Sequence, residues 1–446
     1  MEAGRRGPTA GNRCDRLDRR NRAGGVPAGC LPARDRGGRD HRAESRLAGR
    51  NRAVRASEVP RQRLGSQRTA APTRLTRGSL TDRAVEPRAG RLRPLRGEDL
   101  PDVVALRQQV FRFSERDSPD RLAHYLEQIF FRHPWADEEL TSLVYEDERG
   151  RVAGFLGIIP RPLRFQGEPV RAAVATQLMV APERRGLIGR RLMRTFLTGP
   201  QDLSLSDTAN EVGRRLWESL GGSVSTIHSL AWSRTLRPCR HLAARIARGP
   251  VLRAGLYAAR PVLAAADALA ARLPRSFTQD VPPGAIEALD AGTMAARLPQ
   301  LAGSALRPEY EDGSLTWLLA QAAEKRQFGE LLGALVRDAA GEVAGWFLYY
   351  CHTGGGLGEV LQLAARRSTQ ALVLRHLWRD AWRRGLTAIA GRVEPAFVDE
   401  LAAHGSRFGR EGPWMLIHSP RVELLQAITG GDAFLSRLEG EWWLSF

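Results

Sequence analysis

The stretch Val180–Met193, VAPERRGLIGRRLM, limits what this chain can fold into more than any other. An apolar run ends at Ala181–Pro182, a turn carrying Gly186 and Gly189 follows, and Ile188, Leu192 and Phe196 then recur at helical spacing. A strand that feeds a glycine turn and then a helix predicts an α/β architecture. The helix start offers unbonded backbone N–H groups and the positive end of its dipole, so an anion is favoured there. Gly186 and Gly189 permit a close backbone approach. Arg184, Arg185, Arg190 and Arg191 add charge suited to a polyphosphate. The same pattern also serves as an ordinary strand–helix connection with a solvated basic face.

The surrounding periodicities extend this reading. Residues 91–110 predict a short strand, broken at Gly97, and a helix whose face is Leu100, Val103, Val104, Leu106 and Val110. A second helix follows over 119–132. Two strands joined by a turn at Glu148-Arg149-Gly150 come next, then a third ending at Val180. After the helix at 187–197, DLSLSD predicts a strand, NEVGRRLWESLG a helix stopped by Gly221–Gly222, and VSTIHSLAWSR a closing strand. The order βααβββαβαβ defines a mixed-sheet domain over residues 91–235. Residues 236–276, rich in Ala, Arg and Leu and punctuated by proline, predict helices linking it to a further domain over 277–446. There DAAGEVAGWFL at 338–348 echoes DERGRVAGFLG at 147–157, and LQLAARRS at 361–368 parallels TQLMVAPERR at 176–185, which predicts a duplicated fold.

The charge of +18 is a nucleic-acid signature only until it is located. Residues 1–90 hold 22 Arg, no Lys and 9 acidic groups, a balance of +13, and the other 356 residues hold 45 basic against 40 acidic groups, only +5. That first segment has few aromatic or β-branched residues and no apolar period, so it predicts a disordered tail or a start assigned too far upstream. Nucleic acid is therefore not expected as a partner. Of the 67 basic side chains 66 are Arg, and the single Lys is Lys325. The four cysteines, Cys14, Cys30, Cys239 and Cys351, form no CxxC pair, which excludes a zinc finger and suits a reducing cytoplasm. No apolar leader follows Met1, and the most apolar run, 251–273, carries four charges, so neither a signal peptide nor a membrane span is expected.

The loop at 180–193, followed about twenty residues later by SDTANEVGRRLWESLGG (206–222), resembles the Gcn5-related N-acetyltransferase (GNAT) superfamily. The first stretch is similar to its pyrophosphate loop. The second is similar to its later motif, here Ala209, Asn210, Gly213, Leu216, Trp217, Leu220 and Gly221. The resemblance implies the acyl-CoA N-acyltransferase fold, a mixed, mostly antiparallel sheet flanked by helices. It implies acetyl-CoA as cofactor, its pantetheine arm along Leu178, Met179 and Val180 and its pyrophosphate on the amides of Arg185, Gly186, Leu187, Ile188, Gly189 and Arg190. Asn210 would contact the cofactor or an ordered water. An amine acceptor would attack the thioester directly in a ternary complex, which needs a base or a water chain.

Two departures bear on activity. The loop is one residue short, with Leu187 or Ile188 where the family carries Gly, and Trp217 stands where a Tyr often protonates the departing thiolate; an indole N–H cannot do that. The candidates for catalysis are Asp207 and Glu211 near the expected thioester end and Gln177, which could orient a water. Asp207 could equally cap a helix through Asn210. His228 reads as a core histidine, and the closing GEWWLSF as a core-sealing strand. The second domain has no glycine where a phosphate loop would be and reads as a degenerate copy. A non-catalytic acyl-CoA-binding scaffold and a tRNA-dependent aminoacyl transferase on the same frame are the rival readings.

Overall fold

Two hairpin turns show how local chemistry builds the sheets. Asp147 Oδ1 accepts from the amides of Arg149 and Arg151, each at 2.9 Å, while Gly150 takes φ +78°. Asp338 Oδ1 accepts from Ala340 and Glu342, each at 3.0 Å, while Gly341 takes φ +83°. An aspartate that bonds its own turn and a glycine that tolerates the left-handed region fold both connections the same way.

The computed structural model describes residues 90–446 except 112–117, 136, 185, 247–249, 273–279, 353–354, 411 and 445–446. The tail expected over 1–90 lies outside the described residues, Gly90 apart. From Gly90 the order is β1 (Arg91–Pro94), α1 (Leu100–Val110), α2 (Pro119–Phe131), β2 (Leu143–Glu146), β3 (Val152–Phe165), β4 (Glu168–Val180), α3 (Leu187–Leu197), β5 (Leu203–Ala209), α4 (Glu211–Glu218), β6 (Ser223–Val224) and β7 (Ala231–Thr235). Three helices follow, α5 (Pro238–Ile246), α6 (Pro250–Ala258) and α7 (Arg260–Ala270), where short linking helices were expected. The rest comprises β8 (Ala285–Ala288), α8 (Ala291–Leu301), β9 (Leu306–Pro308), α9 (Asp312–Ala323), β10 (Glu330–Arg337), β11 (Val343–Cys351) and β12 (Gly356–Ala365). It ends with α10 (Gln370–Arg383), β13 (Leu386–Arg392), α11 (Val398–Ala403), β14 (Arg407–Gly409), β15 (Trp414–His418) and α12 (Val422–Thr429). Among the described residues no helix is long and apolar enough to cross a membrane.

The elements form two mixed, mostly antiparallel sheets flanked by helices, as expected. One runs β1-β2-β3-β4-β5-β15-β6, with β9 added to β3, and the other β8-β10-β11-β12-β13-β7-β14. Each contains one parallel pair, β4 with β5 and β12 with β13. The two orders correspond strand for strand, with one exchange. β7 was expected to close the first sheet; it pairs with β13 and β14 in the second. β15 takes the equivalent place in the first, between β5 and β6. A boundary at residue 235 therefore cuts no sheet cleanly, and the chain from Gly90 onward belongs to one compact unit. Strand periodicity says that 231–235 is extended but not which edge it will find, since pairing partners are set by tertiary packing.

The described part of the closing GEWWLSF, residues 440–444, is not a strand: it forms bends and a turn. It nonetheless seals the core, because Trp443 is fully buried and donates its indole N–H to Gly440 O at 2.6 Å. Gly440 itself lies so close to Asp207 that a Cβ there would stand 2.1 Å from the carboxyl carbon. Only glycine fits at that contact.

Candidate active site

The pairing of β4 with β5 stops early. Ala172, Ala173 and Val174 pair with Leu203, Ser204 and Leu205, and beyond them the strands diverge. A bulge drives the divergence: between Gly157↔Thr176 and Phe155↔Met179 the β3–β4 register slips, and Gln177 takes φ +50°. A non-glycine residue held in the left-handed region marks a position the surroundings over-determine. A cleft of about 670 Å³ opens where the strands part, lined by Thr176, Gln177 and Leu178 of β4, Ser206, Thr208 and Ala209 of β5, and Asn210, Trp217, Lys325, Glu441 and Trp442.

At the end of β4 the glycine turn behaves as its sequence predicts. Gly186 has φ +106° and precedes α3; the first intrahelical bond is Arg190 N to Gly186 O at 3.2 Å. Leu187, Ile188 and Gly189 form the first helical positions, whose amides have no carbonyl within the helix. The side chains divide differently from their backbones. Leu187 is 80% exposed, whereas Ile188 is in the core. Gly189 is buried where α3 packs on β4, and a Cβ there would make an ordinary contact with Val180 at 3.5 Å. Arg190 bonds Ser219 Oγ at 2.8 Å and Ser219 O at 3.3 Å, which caps the end of α4. Arg184 is paired with Glu148 at 2.9 Å, and Arg191 lies over the Tyr145 ring. Arg185 is outside the described residues.

The remaining predicted residues separate. Leu178 faces the cleft, Met179 is fully buried in the core, and Val180 is half-buried. Gln177 Oε1 accepts from Arg107 Nε at 3.3 Å. Asn210 N-caps α4, its Oδ1 accepting from Gly213 N at 2.9 Å. Glu211 is pulled down to about 2, first by its hydrogen bond to Arg214 and then by Arg215, so it is a poor base. Asp207 is fully engaged: Oδ2 accepts from Arg392 at 2.8 Å, and Oδ1 from the amides of Glu441 at 2.7 Å and Trp442 at 3.1 Å. It neither caps α4 nor lines the cleft; it anchors the C-terminal segment. His228 is a core histidine, on a short turn rather than the expected strand, bonded to Ser225 Oγ at 2.8 Å and lowered to about 3 by burial.

Sequence reasoning missed the two titratable groups that share the cleft wall. Glu441 is buried, accepts from Ser206 Oγ at 2.6 Å and Thr208 N at 3.2 Å, and is raised above the usual carboxylate range by burial and then by the charge of Asp207. Lys325 donates to Trp442 O and is lowered to about 8 by burial. The signals were present: one acid inside an apolar C-terminal run, and one lysine in the whole chain.

Residues 91–201 match the family model of the acetyltransferase (GNAT) domain. That GNAT segment runs from β1 through α3 and so contains the bulge and the glycine turn, whereas β5, α4 and the residues contributed by the C-terminal half lie beyond it. No curated protein matches the chain. Among solved structures it is similar to a probable N-acyltransferase from Enterococcus faecalis V583, at 11% identity and TM-score 0.49 over 75% of this chain and 73% of that one. It is also similar to Gcn5-related N-acetyltransferases from Anabaena variabilis (13% identity, TM-score 0.49, 76% and 75% covered) and Kribbella flavida (16%, 0.46, 73% and 71%). At those scores the cleft, and not the likeness, carries the chemistry.

The equivalent point in the second sheet is closed. There the β11–β12 register also slips, between Leu348 and Tyr349. Past the last β12–β13 pair, however, Glu394 reaches in and its Oε1 accepts from Leu363 N at 2.9 Å. Burial raises that carboxyl well above its ordinary range. Leu301 and Ala302 beside it leave a void of about 10 Å³, room for one water at most.

Gly186→Val is expected to weaken acyl-CoA binding about tenfold or more, because φ +106° is closed to a β-branched residue and the amides of the turn must move. Titration calorimetry with CoA checks it; unchanged affinity would place the phosphates elsewhere.

Proposed function

We propose that this protein is an acyl-CoA-dependent N-acyltransferase that moves an acetyl group from acetyl-CoA to an amine acceptor by direct attack in a ternary complex. The observation that supports it best is the cleft formed where β4 leaves β5 at the Gln177 bulge, the bulge itself lying in the segment that matches the GNAT domain. The unpaired edge of β4 at 176–180 supplies backbone groups for a pantetheine arm. The amides of Leu187, Ile188 and Gly189 supply donors for a pyrophosphate, whose charge the α3 dipole favours.

Glu441 is the base in this reading. It lines the cleft, is held by Ser206 and Thr208, and burial makes it a stronger base than an ordinary carboxylate for the proton of an attacking amine. The residues from 277 on act as a degenerate second copy. Its own splay is plugged by Glu394, and it contributes Lys325, Trp442 and Glu441 to the wall of the working cleft.

Trp217 is buried, lines the cleft and packs on Phe196 at 6.1 Å between ring centroids. A CoA thiol with a pKa of about 8.5, by analogy with Cys, leaves near neutral pH with little help. Trp217→Tyr is therefore expected to leave turnover unchanged or to raise it, by up to about 10²-fold, as a restored general acid would. Thiol release measured over a broad amine panel tests the reading. Release at the background hydrolysis rate in wild type and Trp217→Tyr alike, with CoA still bound, would leave an acyl-CoA-binding scaffold.

A further inference from the structure

A chain that places Arg at 66 of its 67 basic positions keeps one Lys, and that Lys lies in the wall of the proposed acyl-CoA cleft. Arg and Lys differ in one chemical respect that matters here. A guanidinium stays charged at any working pH and is no nucleophile, whereas an ammonium can lose its proton and attack a carbonyl. Lys325 follows α9, is 7% exposed, and has its Nζ 4.0 Å from the centre of the Trp442 ring and 5.3 Å from that of Phe328. This apolar box is unlike the surroundings of the chain's arginines in ion pairs, such as Arg93 or Arg171, which sit against carboxylates. The hydrogen bond it makes, to Trp442 O, needs only one of its three protons.

We propose that Lys325 is itself an acyl acceptor, so that the protein acylates its own Nζ from the thioester bound in the cleft. The inference rests on the acyl-CoA reading above. The neutral amine attacks the thioester carbonyl; a C–N bond forms and the C–S bond breaks. The proton lost by nitrogen ends on the departing sulfur, so CoA leaves as free thiol and the balance closes without a further reactant. Four ionisable groups act on this nitrogen: Asp207, Glu441 and Glu359 favour its charged form and Arg437 opposes it, with burial the dominant influence. The outcome, a half-ionised amine at about pH 8, leaves a far larger neutral fraction at pH 7 than an exposed lysine has. The product amide keeps one N–H for Trp442 O and removes the ammonium charge from the cleft.

The full chain, incubated with acetyl-CoA and no other amine, is to be followed by intact-mass spectrometry and fragment mapping, with CoA binding measured on the same sample. One acetyl group on Lys325 is expected. It should form about tenfold faster at pH 9 than at pH 7, as the neutral fraction rises through a pKa of about 8. At pH 7 the folded chain should outpace a urea-unfolded control by about two-hundredfold, since an unfolded Lys titrates near 10.4. Lys325→Arg removes the mark, and because no other lysine exists, an anti-acetyl-lysine signal must vanish with it. CoA binding with no acetyl-Lys325 would overturn this inference and leave the acyl-CoA reading intact; absence of CoA binding would overturn both. Equal rates in the folded and unfolded chains would reduce the mark to uncatalysed chemistry and also overturn it.

Discussion

Asp207→Ala is expected to lower the unfolding free energy by about 3–5 kcal/mol, the cost of breaking a buried ion pair from one side. Asp207 stands on β5 in the first sheet and Arg392 on β13 in the second, and both side chains are nearly or fully buried. Removing the carboxylate leaves the guanidinium with Leu435 O at 2.8 Å from Nη2 and the weakly accepting Met415 Sδ at 3.8 Å from Nη1. It also frees the amides of Glu441 and Trp442, which Asp207 holds. The damage therefore spreads from the contact between the sheets to the wall of the cleft. Denaturant unfolding followed by tryptophan fluorescence measures it. A loss under about 1 kcal/mol, the level of an exposed pair, would show that this bond does not hold the two sheets together.

Glu441→Gln should keep the fold and acyl-CoA affinity while lowering kcat by about 10²–10⁴-fold, the usual worth of a positioned base. The amide can still accept from Ser206 and Thr208, so the loss isolates proton transfer from packing. The sign of the pH dependence follows from the raised pKa of this group. A base acts in its ionised form, so wild-type turnover should climb as pH rises through that pKa. The same acid limb should be missing in Glu441→Gln. A variant with kcat within about twofold of wild type would move the base to a water chain or to another residue.

Much of the architecture was legible because each element announces itself locally. The 3.6-residue spacing of Ile188, Leu192 and Phe196 places α3, and the Asp-x-x-Gly turns at 147 and 338 place matching hairpins. The glycine turn could be read for the same reason: Gly186 is demanded by its own backbone angle. What depends on distant partners was not legible. Nothing local in β7 or β15 says which sheet it joins, and only packing decides that they exchange. Asp207 has the chemistry of a catalytic carboxylate, and its spacing from Asn210 suggests a cap. Its role is fixed instead by Arg392, 185 positions away. Glu441 gave no periodic signal at all; it becomes a cleft residue because Asp207 and Gly440 bring the C-terminal segment against β5.

An acyl-CoA lying along the free edge of β4 would register in amide hydrogen exchange on the full chain with and without CoA. CoA is expected to slow exchange at residues 176–180, where β4 has parted from β5, and at 187–189, the first turn of α3. The β12 segment 361–365, closed by Glu394, should be unaffected. Protection confined to other residues, or none at saturating CoA, would mean that no acyl-CoA binds along β4.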